Sequence, residues 1–183
     1  MRCLYILPII HMDVELGSLA PELKKRFIRQ EGLTEWKRHQ TVIKQFWDKM
    51  EAKLRTLNLD YKNIHIYQDG FPVGMDSDTM VKHMVAQRSR NYLIIESLIK
   101  QGARLMDTEN PVLLLDEYKR LKSENSSSKI DAEELLNQRD SFIAEQINKT
   151  LPENGIGILF IGAIHNVATF LPSDIKATTI KRF

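Results

Sequence analysis

Apolar residues recur along this chain in two distinct periods, and the alternation between them predicts its architecture. Cys3 to Ile10 (CLYILPII) is apolar at nearly every position and rich in β-formers, the pattern of a strand covered on both faces. Pro8 has no amide donor, so a bulge or an unpaired site is expected near the end of that strand. After a polar turn with Gly17, Ser18 and Pro21, apolar residues return at Leu33, Trp36, Ile43, Trp47, Met50, Leu54 and Leu57, nearly all at steps of three or four. That spacing lays one stripe along an amphipathic helix of roughly 25 residues. Asn63 to Gln68 (NIHIYQ) predicts a second strand, stopped by the turn pair Asp69-Gly70. From Thr79 to Gln101 the stripe Val81, Val85, Arg88, Tyr92, Ile95, Ile99 predicts a second long helix closed by Gly102, with Arg88 as a charge where a core residue belongs.

Ala103 to Met106 is a short third strand, and Asp107, Thr108, Glu109, Asn110 and Pro111 form a cap-rich start for a helix carrying Leu114, Tyr118 and Leu121. Lys122 to Lys129 (KSENSSSK) is polar and without period, so residues 122–130 are expected to form a mobile loop inside one domain. Asp131 and Glu134 then predict a capping box, with Ile130 and Leu135 as its hydrophobic staple. The helix they start follows Leu136, Ile143, Ile147 and Leu151, and the pair Arg139-Asp140 interrupts its stripe. Ile156 to Ile161 (IGILFI) is the clearest buried strand, ending at Gly162, Ala163, Ile164 and His165. A helical turn near Val167 to Phe170 and a last strand, Ala177 to Ile180, complete the pattern. Strands separated by helices pair in parallel through crossovers. The expected fold is therefore α/β: one domain over 1–183, an open, mainly parallel sheet of about four to five strands with helices on both faces.

Composition narrows the setting more than the chemistry. No apolar run approaches the ~20 residues of a membrane span, and Cys3 to Ile10 lacks a small-residue cleavage site, so it reads as a strand and not a signal peptide. One cysteine, Cys3, excludes internal disulfides and a zinc site built from several thiolates, which fits a cytoplasmic protein. Any metal site must then use His and carboxylates. With 26 Lys+Arg against 24 Asp+Glu, the net charge of +2 does not point to nucleic acid or an anionic membrane as partner. The basic run Lys24, Lys25, Arg26, Arg29 reads as a solvated helix face. There is no GxxxxGK phosphate loop and no GxSxG elbow, and the GxG at Gly155 precedes a strand where a dinucleotide site needs it to follow one.

In open parallel sheets the ligand sits beyond the carboxyl ends of the strands. The first strand ends at His11, followed by Asp13 and Glu15. The second ends at Asp69, the third at Asp107 and Glu109, and the IGILFI strand at His165. His11, Asp69, Glu109 and His165 are thus expected to converge at one edge. Such a set suits a divalent ion of the zinc, manganese or iron type, held by His11, His165 and Asp69, or an acid/base pair without metal. Each also has an ordinary alternative: His11 as a strand end, Asp69 as a turn former, Glu109 as a helix-dipole partner. Arg88 and Arg139/Asp140 read either as buried ion pairs or as substrate-binding groups.

The Arg139-Asp140 pair on a helix, ahead of a buried strand ending in Gly-x-x-His (Gly162, Ala163, Ile164, His165), resembles the C-terminal signature of the erythromycin-esterase-like superfamily, which includes the TraB pheromone-shutdown proteins and the Tiki proteases. The resemblance implies a compact α/β core, His and acidic residues at the strand ends, and hydrolytic or metal-dependent activity. It also implies a first-strand histidine, His11, although Pro8, Ile9, Ile10 and His11 stand there in place of Gly-x-x-His. Two functions follow. One is a small hydrolase, with or without a divalent metal, acting on a small molecule or peptide: His165 and His11 serve as ligands or general base, Asp69 and Glu109 complete the acidic side, and Arg139 or Arg88 binds an oxyanion. The other is a non-catalytic module that holds a small ligand or anion on the same edge for signalling. Neither reading fixes an oligomeric state.

Overall fold

In the computed structural model, which describes residues 1–122 and 129–180, the two apolar periods resolve into a five-stranded parallel sheet and the helices that cover it. The strands are β1 (Arg2–Ile9), β2 (Ile64–Gln68), β3 (Arg104–Met106), β4 (Ile156–Gly162) and β5 (Ile175–Thr179). Their spatial order is β3-β2-β4-β1-β5, with every neighbouring pair parallel. β4 lies at the centre, buried over Gly157–Gly162, because IGILFI has apolar or glycine residues for both faces. Pro8 causes no bulge: β1 stays in register with β4 through Ile9, opposite Gly162. The Ile6 carbonyl accepts from Ile180 N, so by the two-residue alternation Pro8 turns its missing donor to the same side, past the end of β5.

The helices are α1 (Ala20–Glu31), α2 (Leu33–Thr56), α3 (Ser77–Ala86), α4 (Arg90–Lys100), α5 (Pro111–Lys122) and α6 (Lys129–Thr150). On one face of the sheet, Ile43, Trp47, Met50 and Leu54 of α2 pack with α3 and α4 against Leu7, Ile66, Ile158 and Phe160. Each such fully buried side chain contributes about 1.5–3 kcal/mol. On the other face, Ile143, Ala144, Ile147 and Leu151 of α6 cover Leu4, Tyr67, Leu159 and Ile161. No helix among the described residues is long and apolar enough to cross a membrane.

Three expectations change. The single helix over Thr79 to Gln101 is two, α3 and α4, broken where Ser89 caps α4 by accepting Tyr92 N and Arg88 takes a left-handed φ of 61°. The apolar steps continue across the break, so the pattern alone hides it. Arg88 is consequently an exposed turn residue, not a charge in a buried stripe. α1, read in the sequence only as a basic solvated face, also carries a short stripe of Leu23, Phe27 and Ile28, none of it fully buried. α6 is already helical at Lys129, which puts Asp131 inside the first turn, where it complements the helix dipole, and not at the cap. Of the mobile loop expected over 122–130, Lys122 belongs to α5 and 129–130 to α6, while 123–128 lie outside the described residues, as does the Ile130 side chain of the proposed staple.

Candidate functional site

The carboxyl edge of the sheet collects the chemistry. β2 ends at Gln68, and Asp69 N still bonds the Phe160 carbonyl of β4 at 2.9 Å, which fixes the Asp69 backbone beside the central strand. Gly70 then turns at φ 77°, a conformation that favours glycine. Beyond β3, Thr108 and Glu109 donate their amides to the Phe71 carbonyl, so the loops after β2 and β3 are tied together. β4 supplies Gly162 and, three residues on, His165. α6 runs back across the sheet from this edge, and its first buried residues are Arg139 and Asp140, one turn ahead of Ile143 and Ala144.

These groups interlock. Arg139 Nη2 donates to Asp69 Oδ1 at 2.9 Å and Glu109 Oε1 at 2.5 Å, while its Nε donates to Glu109 Oε2 at 3.3 Å. Asp69 Oδ2 accepts from Gly162 N at 2.8 Å and stands 3.2 Å from His11 Nε2 and 3.8 Å from His165 Nε2. His165 Nδ1 donates to Asp140 Oδ1 at 2.5 Å, and Asp140 Oδ2 accepts from Asn166 N at 2.7 Å. A carboxylate can only accept, so neutral His165 carries its proton on Nδ1 and its lone pair on Nε2, facing the cluster. A Cβ at Gly162 would lie 3.0 Å from Asp69 Oδ2 and 3.5 Å from both His11 Nε2 and His165 Cδ2. Both rings therefore border one small space, which glycine leaves open.

The structure thus brings His11, Asp69, Glu109 and His165 together, with Arg139 and Asp140 between them. Arg88 does not line the cavity they surround. Arg139 is buried and taken up by two carboxylates, so it orients them and is not placed to bind an oxyanion. Two further residues belong to the cluster. Glu15, in the 3-10 turn Asp13–Leu19, faces His11 Nδ1 at 3.3 Å and accepts from Met12 N and from Ser89 Oγ, the latter at 2.6 Å. Its i+4 spacing from His11 was a usable signal. Ser89 had none, since it looks like the interior of a long helix.

Burial opposes every charge here, and the partners decide the outcome. For His11, burial pulls the pKa down, but the Asp69 and Glu15 carboxylates outweigh it and raise the value to about 10. Burial pushes Asp69 up, yet the His11 hydrogen bond and charge, together with Arg139, hold it well below the usual carboxylate range. Glu109 is raised, because burial and the nearby Asp69 charge outweigh Arg139. Burial also lifts the Tyr92 phenol, with Glu15 and Asp69 adding to it.

The cluster forms the floor of a cavity of about 390 Å³ with apolar walls that include Met80, Met84 and Leu121. A larger cleft, about 730 Å³, lies between α2 and α4, but it holds no histidine and its charges Glu51, Arg55 and Arg90 pair with one another. An ion in the smaller cavity has one feature in its favour: each histidine has Nδ1 held by a carboxylate, as metal-bound histidines do. Against it, Asp69 Oδ2 already accepts hydrogen bonds, and among the described residues no three His, Cys, Asp or Glu side chains stand ready to hold a metal. Comparison with protein-family models, curated proteins and solved structures finds no match to this chain.

Proposed function

We propose that this chain is a small hydrolase in which His165 activates water against an ester or amide bond held in the His11–Asp69 cavity. The observation that carries this reading is the Asp140-backed His165, whose Nε2 lone pair opens on a cavity of ligand size. Nε2 takes a proton as water attacks the carbonyl carbon. Asp140 stabilises the imidazolium that forms. The same proton passes to the leaving oxygen or nitrogen as the bond to it breaks. His11, protonated between Glu15 and Asp69, offsets part of their negative charge beside the reacting group. Arg139 and Glu109 hold Asp69 in place. The Gly-x-x-His resemblance points to the same reaction class.

A second reading is favoured by the two carboxylate-backed histidines that turn Nε2 towards Asp69 Oδ2. In it His11, His165 and Asp69 hold a zinc, manganese or ferrous ion, which would acidify a bound water. Protein prepared without a His tag, screened for esterase, phosphatase and peptidase activity with chelator or with each ion added, separates the two. Turnover that survives chelation and vanishes in His165→Ala supports the first; turnover restored only by an ion supports the second. No turnover and no bound ion in any arm sinks both and leaves the non-catalytic ligand-binding module.

A further inference from the structure

Resting on the hydrolase reading, we propose that the cavity takes an uncharged or cationic substrate with an apolar group beside its scissile ester or amide bond, and rejects anionic ones. The walls carry the first half. Leu16, Met80, Met84, Leu121 and Ile164 come from four separate segments: the turn after β1, α3, α5 and the loop after β4. Two are methionines, whose unbranched side chains fit apolar groups of varied shape. Ile164 is 74% exposed, so the apolar wall reaches the cavity mouth.

The floor carries the second half. Each cation there is already committed: Arg139 donates to Asp69 and Glu109, and both ring nitrogens of His11 face carboxylates. Glu117 on the wall is balanced by Arg120, which donates to both its oxygens at 2.8 Å. What remains on the floor is Glu15 and Asp69 against His11 and Arg139, with Glu109 and Asp140 buried behind them. A carboxylate or phosphate entering this space meets these carboxylates and, among the described residues that line it, no uncommitted cation. An amide N–H or an amine meets acceptors instead. Gln68, which lines the cavity, adds one: its Nε2 donates to the Asp69 carbonyl at 2.9 Å, which fixes the amide orientation and leaves a buried Oε1 with no partner among the described residues.

The test uses pairs that differ by one carboxylate. Hydrolysis of 4-nitrophenyl butyrate is compared with that of 4-nitrophenyl hemisuccinate, in whichever metal state the activity screen finds active. Calorimetry of the intact anilides, butyranilide against succinanilic acid, reads binding without turnover. The butyryl compounds should be favoured at least about tenfold in kcat/KM and in affinity, since like-charge placement is costly. Met80→Lys, which puts a cation on the half-buried wall, should shrink that ratio. Hemisuccinate turned over as well as butyrate, or a ratio that Met80→Lys leaves unchanged, overturns the substrate class while the hydrolase reading stands. Preferential butyranilide binding without any turnover keeps the substrate class and removes the hydrolase. If neither anilide binds and nothing is hydrolysed, both fall.

Discussion

His165 and His11 face the same carboxylate oxygen from opposite supports. The His165 side chain is 3% exposed, and it is held by α6 through Asp140 and by the end of β4, the buried central strand. The His11 side chain is 36% exposed, follows the shorter-paired end of β1, and is held by Glu15 from an irregular turn that reaches Ser89 on another helix. One histidine is built into the core and the other is strapped across it. The difference separates a group that must keep one tautomer and one position from a group whose charge is tuned by what lies around it.

The largest effect is expected from His165→Ala. Turnover should fall about 10²–10⁴-fold, the range for losing a general base, and thermal stability should fall with it, because Asp140 stays buried without the ring it holds. Arg139→Met should strike the fold itself. It leaves Asp69 and Glu109 buried without their shared cation, at a cost of about 3–5 kcal/mol in urea unfolding at neutral pH. Part of that loss should return as pH falls, because Glu109, already raised, then takes up a proton. Asp140→Asn and Glu15→Gln compare the two supports directly: about 100-fold and about tenfold losses of activity are expected, in that order. Equal losses would show that the strap is as rigid as the core. The remaining effect is on pH dependence. His11 titrates at about 10 in the folded chain against an ordinary 6.5, so its contribution to stability is complete below 6.5 and lost as pH rises through 10. His11→Gln should flatten that alkaline decline in unfolding measured across the window. Asp69, lowered in the fold, should give the opposite limb: stability present above its ordinary value and lost in acid.

The members of the site that end a strand are legible in the sequence, since a run such as IGILFI or NIHIYQ marks both the strand and the residue that leaves it. Arg139 and Asp140 are legible too, as charges that break an apolar stripe, but the stripe cannot say whether such a charge binds substrate or another residue. Here the partners of Arg139 come from positions 30 and 70 residues away. Arg88 looked the same in sequence and differs entirely in place, because one left-handed residue ends α3 without disturbing the three-and-four spacing. Ser89 escapes for the same reason. α1 has its own short stripe of Leu23, Phe27 and Ile28 against exposed charges, but none of these residues is fully buried, so it adds little to the core.

The position of β4 governs how the protein comes to exist. β1 and β2 are not neighbours; each pairs with β4, which is inserted between them. During synthesis, the edges of β1 and β2 that β4 will occupy stay open until residues 156–162 are made, a wait of roughly 5–20 s after β2 at ordinary translation rates. His11 and Asp69 are brought together only when that strand arrives. A nascent chain stalled before it holds the right residues, no assembled site, and apolar strand edges open to aggregation.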